Sequence, residues 1–265
     1  MSFLKLEDKT FLITGIANKK SVATFVATTL KESGAKIIFS VQNEKNLSQV
    51  QKIFPNATCY ICDVEKEHTI KDLADKLNEQ NVKLDGLLHS IAFANFSEGF
   101  KPFHETKTDD FLQATNISCF SLVNLSKYLK DCFNSQASIV TISISNTRAT
   151  NYGYLGPIKA ALDSAVSFLA KSFSEFSNVR FNALCSGPLK TSASAGIPNY
   201  LENYLFAEQL TMRHQALQTQ EVADVATFLL SPRSSGINAA NLVVDQGMSS
   251  NYFDKNIVAA YGKTF

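Results

Sequence analysis

The stretch that decides the fold is Phe11-Leu12-Ile13-Thr14-Gly15-Ile16-Ala17-Asn18-Lys19-Lys20-Ser21-Val22-Ala23. Its first four residues form an apolar run typical of a buried strand, and residues 21–33 have the pattern of a helix. The loop between them carries Gly15 and other small residues, so a ligand can approach the backbone closely. Free N–H groups and the positive end of the helix dipole would favour a pyrophosphate there. Because the common GxGxxG pattern is absent, an ordinary strand-to-helix turn remains the alternative interpretation.

The same alternation of short apolar runs and helical patterns continues along the chain. Further strands are predicted at 36–40, 58–62, 87–91, 138–143, 179–184 and 242–245, and helices at 44–52, 67–80, 109–129 and 152–173. Short, almost wholly apolar strands indicate a parallel sheet covered by helices on both faces. We therefore predict an α/β fold of the Rossmann type, a doubly wound seven-stranded parallel sheet in one domain over residues 1–265. Ligands of such sheets bind beyond the carboxyl ends of the strands.

Composition narrows the possible partners. The 265 residues include 25 Lys and Arg against 24 Asp and Glu, a net charge of +1, and 45% are hydrophobic. Such a chain can bury a core, and it has no basic excess for nucleic acid or an anionic membrane surface. No apolar run approaches the roughly 18 residues that span a bilayer, and the first residues lack a signal-sequence pattern. We expect no membrane partner and a cytoplasmic location.

Five cysteines are present, an odd number that argues against a disulfide framework. Cys59-Tyr60-Ile61-Cys62 is a CxxC pattern without a second pair, and it falls in an apolar run. A closed zinc site needs four ligands, so we interpret this pair as strand residues and expect no metal.

Residues that follow the other predicted strands are candidates for binding a nucleotide. Gln42 follows the second strand, where a dinucleotide fold contacts the adenosine ribose. Asp63 follows the third, where its carboxylate could accept from an adenine amino group or could simply cap a helix. Ser90 and Ile91 come at the end of the fourth strand, beside the central crevice.

Tyr152 and Lys159 form the candidate reactive pair. They are seven residues apart, so on a continuous helix they would lie two turns apart on one face. An ammonium beside a phenol favours the phenolate and would lower the pKa of Tyr152 from about 10, making it a proton donor near neutrality. Tyr154 is only five residues before Lys159, so its side chain would point away from this face of the helix. A solvated surface pair is the alternative, but the position after a strand favours an active site.

Five stretches carry a resemblance to a known family. They occur in the family's order and are spread over nearly the whole chain: residues 13–19, 89–94, 151–160, 186–191 and 244–247. The sequence resembles the short-chain dehydrogenase/reductase superfamily and, within it, the divergent enoyl-acyl-carrier-protein reductases of bacterial fatty acid synthesis. That group has Tyr-x6-Lys in place of the superfamily's Tyr-x3-Lys.

The resemblance implies an NADH site lined by Gly15, Ser21, Val22, Gln42, Asp63, Val64, Ser90, Ile91, Lys159, Leu189 and Thr191. Leu189 and Thr191 would lie near the nicotinamide amide and the pyrophosphate, and Lys159 would hold the nicotinamide ribose. No arginine stands at 40–44 to meet a 2′-phosphate, although Lys45 is near, which favours NADH over NADPH. The superfamily's helix asparagine would fall at Asn116, which could equally be a buried structural residue.

The implied reaction is hydride transfer to the β-carbon of a trans-2-enoyl thioester, carried by acyl carrier protein or coenzyme A. Tyr152 would donate a hydrogen bond to the enolate oxygen, and Lys159 would add electrostatic support. Substrate contacts would come from Ala94, Tyr152, Ile197 and Tyr200. A substrate-binding loop is expected at about 190–210, with a pair of ordinary surface helices as the alternative.

The family's second tyrosine is missing. Ser143-Ile144 stands where a Ser/Thr-Tyr pair is expected, and the following loop is two residues shorter; Tyr154 could swing in as a substitute. Two other functions therefore stay open: a related reductase of a ketone or another activated alkene, and a catalytically idle NAD-binding paralogue. The resemblance also implies a homotetramer.

Overall fold

Seven parallel strands form one sheet in the order β3-β2-β1-β4-β5-β6-β7. The computed structural model describes residues 3–191 and 200–262. The strands are β1 (Thr10–Thr14), β2 (Lys36–Val41), β3 (Thr58–Ile61), β4 (Leu84–His89), β5 (Phe133–Ile144), β6 (Arg180–Ser186) and β7 (Ala240–Val244). The direction of the crossovers reverses between β1 and β4, which opens a crevice at their carboxyl ends. The predicted Rossmann-type fold is confirmed.

Two strands differ from their predicted bounds in ways that affect the site. The fourth strand ends at His89, so Ser90 and Ile91 lie in the loop beyond it, at the carboxyl end of the strand. The fifth begins at Phe133 because that residue pairs with Leu84 of β4, well before the apolar run that signalled it. Tertiary pairing extended this strand where the local pattern was polar.

Helices cover both faces of the sheet. They are α1 (Val22–Glu32), α2 (Glu44–Ile53), α3 (Glu67–Glu79), α4 (Thr108–Thr115), α5 (Ser121–Leu129), α6 (Leu155–Phe173), α7 (Tyr200–Leu210), α8 (Thr219–Leu230) and α9 (Lys255–Gly262). One core packs α3, α5 and α6 on the sheet, and the other packs α1, α2 and α8. Neither α8 nor α9 was predicted from the sequence. Among the described residues, no helix is both long and apolar enough to cross a membrane.

A π-helical turn, Asn116–Phe120, interrupts the helix predicted at 109–129. The hydroxyl of Ser121 donates to the carbonyl of Ile117 at 2.6 Å, which satisfies one of the carbonyls within the turn. Such turns are frequent at functional sites, and this one packs against α6 below the carboxyl edge of the sheet.

Candidate active site

Gly15 brings the loops after β1 and β4 into contact. Its φ is +82°, and a Cβ at this position would lie 1.9 Å from the carbonyl oxygen of Ser90. Any other residue would therefore be strained in its backbone and would collide with a second backbone. Two residues predicted to bind cofactor thus meet at the crevice where the sheet topology places a ligand.

The N-terminus of α1 leaves backbone donors available. Ser21 precedes the helix, and its hydroxyl is directed to the Asn18 carbonyl at 2.9 Å and the Thr24 hydroxyl at 2.8 Å. Within the described parts of the chain, no acceptor takes the N–H groups of Val22 and Ala23, and the first turn has no acidic residue. Two unpaired donors at the positive end of a helix suit a pyrophosphate.

The ends of β2 and β3 form the outer part of the crevice. Gln42 is exposed at the end of β2, whereas Val64 is buried. The half-buried Asp63 carboxylate accepts from the Glu65 N–H at 3.4 Å and lies 3.2 Å from the Lys66 ammonium. Asp63 is not the helix cap that was the alternative, because α3 begins at Glu67 with Lys66 before it.

A buried histidine ties the end of β4 to its neighbours. The ring nitrogens of His89 lie 2.8 Å from the hydroxyls of Thr141 and Ser121. Complete burial and the nearby positive charge of Lys159 lower the pKa of His89 to about 3. The ring is therefore neutral at physiological pH, and it joins β4, β5 and α5 just before Ser90.

Two hydroxyl groups hold the loop after β4 in the same way. The Ser118 hydroxyl accepts from the N–H of Phe93 at 2.8 Å and donates to its carbonyl at 3.0 Å. The Tyr154 hydroxyl accepts from Asn95 N–H at 2.7 Å and donates to Asn95 C=O at 3.1 Å. Ala94, a predicted substrate contact, lies half-buried between them. Because Tyr154 is buried in this role, it does not replace the missing second tyrosine.

Tyr152 lies outside the helix that carries Lys159. It ends a 3₁₀ turn, Thr150–Tyr152, and Gly153 follows with a φ of +64°. That left-handed residue separates the turn from α6, so the predicted spacing of two helical turns on one face is wrong. The side chain of Tyr152 is half-buried at the carboxyl edge of β5.

The pKa of Tyr152 is shifted in the opposite direction to the one predicted from the sequence. Burial of the phenol, together with the nearby Tyr200 hydroxyl, raises the pKa of Tyr152 above its ordinary value, and Lys159 does not offset this effect. The phenol is therefore fully protonated at neutral pH. A neutral phenol can still donate a hydrogen bond to a developing negative charge, but it is not an activated acid.

Lys159 is a buried cation. Its side chain is on α6, the residue is 4% exposed, and its Nζ donates to the Ile142 carbonyl at 2.9 Å. Burial lowers the pKa of Lys159 to about 8, while the negative charge of Asp163 acts to raise it. Asp163 is one turn further along α6, where its carboxylate is 4.0 Å from the Cys185 sulfur.

The loop after β6 contains the last predicted cofactor residues. Leu189 is buried, Thr191 is half-buried, and the Tyr200 hydroxyl bonds both the N–H and the C=O of Leu189 at 2.9 Å. The structure thus brings Tyr200, a predicted substrate residue, onto a predicted cofactor residue. Ile197, also predicted to contact substrate, lies outside the described residues.

Asn116 is the predicted helix asparagine, and Ile144 stands where the family's second tyrosine was expected. The Asn116 amide donates to the Glu65 carbonyl at 3.1 Å, next to the end of β3, and it opens the π-helical turn. Ile144 is half-buried at the end of β5 and places no polar group there. No role was predicted from the sequence for Ser118, His89 or Asp163; the only signal among them was the position of His89 immediately before Ser90.

The residues present fit a dinucleotide. Three features lie along the carboxyl edge of the sheet: the space at Gly15 that any Cβ would fill, here called the glycine cradle, two unpaired N–H groups at the start of α1, and the buried Lys159 ammonium on α6. The first two suit a pyrophosphate and the last suits ribose hydroxyls. The described residues contain no group of His, Cys, Asp or Glu side chains that could hold a metal ion.

Comparisons with known proteins agree with this geometry. Residues 15–249 match the model of the family described as enoyl-(acyl carrier protein) reductase. The enoyl-[acyl-carrier-protein] reductase [NADPH] FabI of Staphylococcus aureus strain MRSA252 is 32% identical over 251 residues, covering 92% of this chain and 98% of that protein. The NADH enzyme of Enterococcus faecalis is also 32% identical, with the same coverage.

Solved structures point to the same group. The crystal structure of the NADH enoyl-[acyl-carrier-protein] reductase from Aquifex aeolicus has a TM-score of 0.87 and 31% identity, covering 92% of this chain and 97% of that one. The FabI structure from Candidatus Liberibacter asiaticus has a TM-score of 0.88 at 27% identity, covering 92% and 96%. The glycine cradle, the Tyr152 turn and the buried Lys159 therefore belong to a member of the enoyl-acyl-carrier-protein reductase family.

Proposed function

We propose that this chain reduces the trans-2 double bond of an enoyl thioester with NADH, in fatty acid biosynthesis. The observation that carries the proposal is that a neutral, half-buried phenol, Tyr152, and a buried cation, Lys159, both lie at the sheet edge where Gly15 meets the Ser90 carbonyl. One side of the crevice suits a dinucleotide, and the other offers a hydrogen-bond donor and a positive charge.

In this proposal, the cofactor lies along the strand ends in the order of the sheet. The N–H groups of Val22 and Ala23 would hold the pyrophosphate, with Gly15 and Ser90 allowing close approach. Gln42 and Asp63 would face the adenosine half, and Ile91, Leu189 and Thr191 the nicotinamide half. The relatives include both NADH and NADPH enzymes. We favour NADH because residues 40–44 contain no cation, and Glu44 would repel a 2′-phosphate.

When bound, NADH supplies the hydride that the β-carbon of the substrate receives. Negative charge then develops on the thioester oxygen, where the Tyr152 hydroxyl would donate a hydrogen bond. Since the pKa of Tyr152 is raised, the phenol keeps its proton until this charge appears. Lys159 would hold the ribose hydroxyls and stabilise the negative charge from a site with little water.

Ala94, Tyr200 and Ile197 would contact the acyl chain, with residues 190–210 as the substrate-binding loop. The substrate would be carried by acyl carrier protein or coenzyme A. Leu201, Leu205 and Phe206 are exposed on α7, which supports an apolar substrate better than a charged one.

The proposal includes a homotetramer in the cytoplasm. Leu112 of α4, Phe120 of the π-helical turn and Phe168 of α6 are more than half exposed on neighbouring helices, as expected of faces that pack on other copies. All five cysteines are free, which suits a reducing compartment.

The test is NADH oxidation with two thioesters, crotonyl and acetoacetyl. Turnover of crotonyl thioester alone would support the proposal, because only that substrate has an activated double bond. Turnover of acetoacetyl thioester alone would indicate a ketone reductase instead. If NADH binds, as seen by fluorescence, without turnover of either, the chain is a catalytically idle NAD-binding protein.

A further inference from the structure

The backbone of Leu189 is fully engaged in this structure. Its N–H donates to the Tyr200 hydroxyl at 2.9 Å, and its carbonyl accepts from that hydroxyl at 2.9 Å and from the Thr191 N–H at 3.0 Å. A backbone N–H makes one hydrogen bond, and a carbonyl oxygen has two lone pairs. Leu189 therefore has no capacity left for a ligand while Tyr200 stays in place.

The contact lies where the reacting end of a cofactor belongs. The carboxyl end of β6 pairs with that of β5, with Ser186 opposite Ile144 and the Ser145 N–H bonded to the Ser186 carbonyl at 2.8 Å. Leu189 and the Tyr152 turn therefore leave adjacent strand ends. The effect of Tyr200 on the pKa of Tyr152 agrees with this closeness.

A primary carboxamide has the same pattern of groups as this hydroxyl. Its C=O can accept from a backbone N–H while its NH₂ donates to the C=O of the same residue. A tyrosine hydroxyl does both through one oxygen, as Tyr154 does with Asn95 elsewhere in this chain. The two groups cannot occupy Leu189 together.

We propose that the Tyr200 hydroxyl competes with the nicotinamide carboxamide for the backbone of Leu189, so that Tyr200 sets the affinity for the cofactor. This inference rests on the proposed function, which places the nicotinamide at Leu189. Each binding event then requires the hydroxyl to leave. The apparent dissociation constant then equals the intrinsic one divided by the fraction of molecules in which Leu189 is free of Tyr200.

The experiment measures NADH binding by fluorescence to the full chain and to Tyr200→Phe. The variant keeps the ring but loses both bonds to Leu189, so NADH should bind roughly fivefold more tightly, the equivalent of one ordinary net hydrogen bond. ADP-ribose, which lacks the nicotinamide, should bind both proteins equally by calorimetry. Tyr204→Phe is the matched control, because Tyr204 is on the same helix and its ring is 6.4 Å from that of Tyr200.

Two results would overturn the competition. Equal or weaker NADH binding by Tyr200→Phe would show that the hydroxyl does not oppose the cofactor. An equal gain for ADP-ribose, or for Tyr204→Phe, would place the effect away from the carboxamide. Failure of the proposed function is distinct, because it is measured by turnover of crotonyl thioester, whereas the competition is measured by the NADH affinities of the unsubstituted protein and Tyr200→Phe.

Discussion

Lys159 is a residue at which function and stability conflict. The ammonium is buried with a backbone carbonyl as its hydrogen-bond acceptor, and burial lowers the pKa of Lys159 from 10.5 to about 8. That difference corresponds to about 3 kcal/mol of opposition to the charged form, at about 1.4 kcal/mol per pKa unit. The charge is retained at a cost in folding free energy, as expected of a group that serves chemistry.

We predict that Lys159→Met stabilises the protein while abolishing turnover and weakening NADH binding. Methionine fills similar space without a charge, so the free energy of unfolding at pH 7 should rise by about 1–3 kcal/mol. In the unsubstituted protein, the unfolded state keeps the proton up to about pH 10.5 and the folded state loses it near 8. The free energy of unfolding of the unsubstituted protein therefore rises between about pH 8 and 10.5, and the extra stability of Lys159→Met over it should shrink in that range.

Urea unfolding at pH 7 and 9.5, with NADH titration at pH 7, checks these expectations. A variant less stable than the parent at pH 7, or one with unaltered NADH affinity, would contradict the role given to Lys159.

Tyr152 is the residue on which the chemistry depends. We predict that Tyr152→Phe lowers turnover roughly 100-fold or more, as for loss of a donor to a developing oxyanion, while NADH still binds. Steady-state rates with crotonyl thioester and NADH fluorescence measure the two effects. Tyr128→Phe is the control, since that hydroxyl bonds the exposed Glu67 carboxylate at 2.6 Å, away from the crevice. Unchanged turnover in Tyr152→Phe would remove this phenol from the mechanism.

At the scale of elements, the cofactor crevice depends on the contact between the loops after β1 and β4. The Gly15 backbone and the Ser90 carbonyl are in direct contact, and the loop after β4 is held further along by Ser118 and Tyr154. These bonds link segments that are distant in sequence, so they form only when the sheet and α6 are in place.

We predict that Gly15→Ala destabilises the fold by about 2 kcal/mol or more and strongly weakens NADH binding. The added Cβ would both strain the backbone at a φ of +82° and collide with the Ser90 carbonyl. Gly99→Ala separates backbone strain from collision, because Gly99 has a similar φ of +78° but a Cβ added there would meet no other atom within 4 Å. Urea unfolding and NADH titration of both variants measure this. Equal losses in the two variants would mean that the loop contact contributes nothing.

At the scale of the whole molecule, large apolar side chains remain exposed on α4, the π-helical turn and α6. Phe168 is 75% exposed, which is unusual for a phenylalanine in the middle of a long helix. These helices pack against each other within the chain, so the exposed side chains lie on neighbouring helices. A second copy of the chain would bury them.

We predict that the protein forms a tetramer of 29.1 kDa chains and that Phe168→Glu dissociates it. Placing a charge at a buried apolar interface costs more than the contact provides. Size-exclusion chromatography with light scattering gives the masses. Phe3→Glu is the control, because Phe3 is 71% exposed near the N-terminus, beside Arg233. A monomeric parent protein would contradict the assembly.

The alternation of apolar runs and helical patterns determined the sheet, its parallel direction and the edge that carries the site. Local pattern was sufficient there because strand ends of a parallel sheet meet at one edge whatever the details of packing. The sequence also identified Tyr152 and Lys159 as candidate residues of the site, together with the small residues of the first loop.

Only the tertiary structure decided how those residues act. Gly153 adopts a positive φ that separates the Tyr152 turn from the start of α6, and burial raises the pKa of the phenol, which the spacing predicted would fall. The bond from Tyr200 to Leu189 was equally hidden from the sequence. Each depends on solvent exclusion or on contacts between separate segments, and neither quantity is contained in a local pattern of residues.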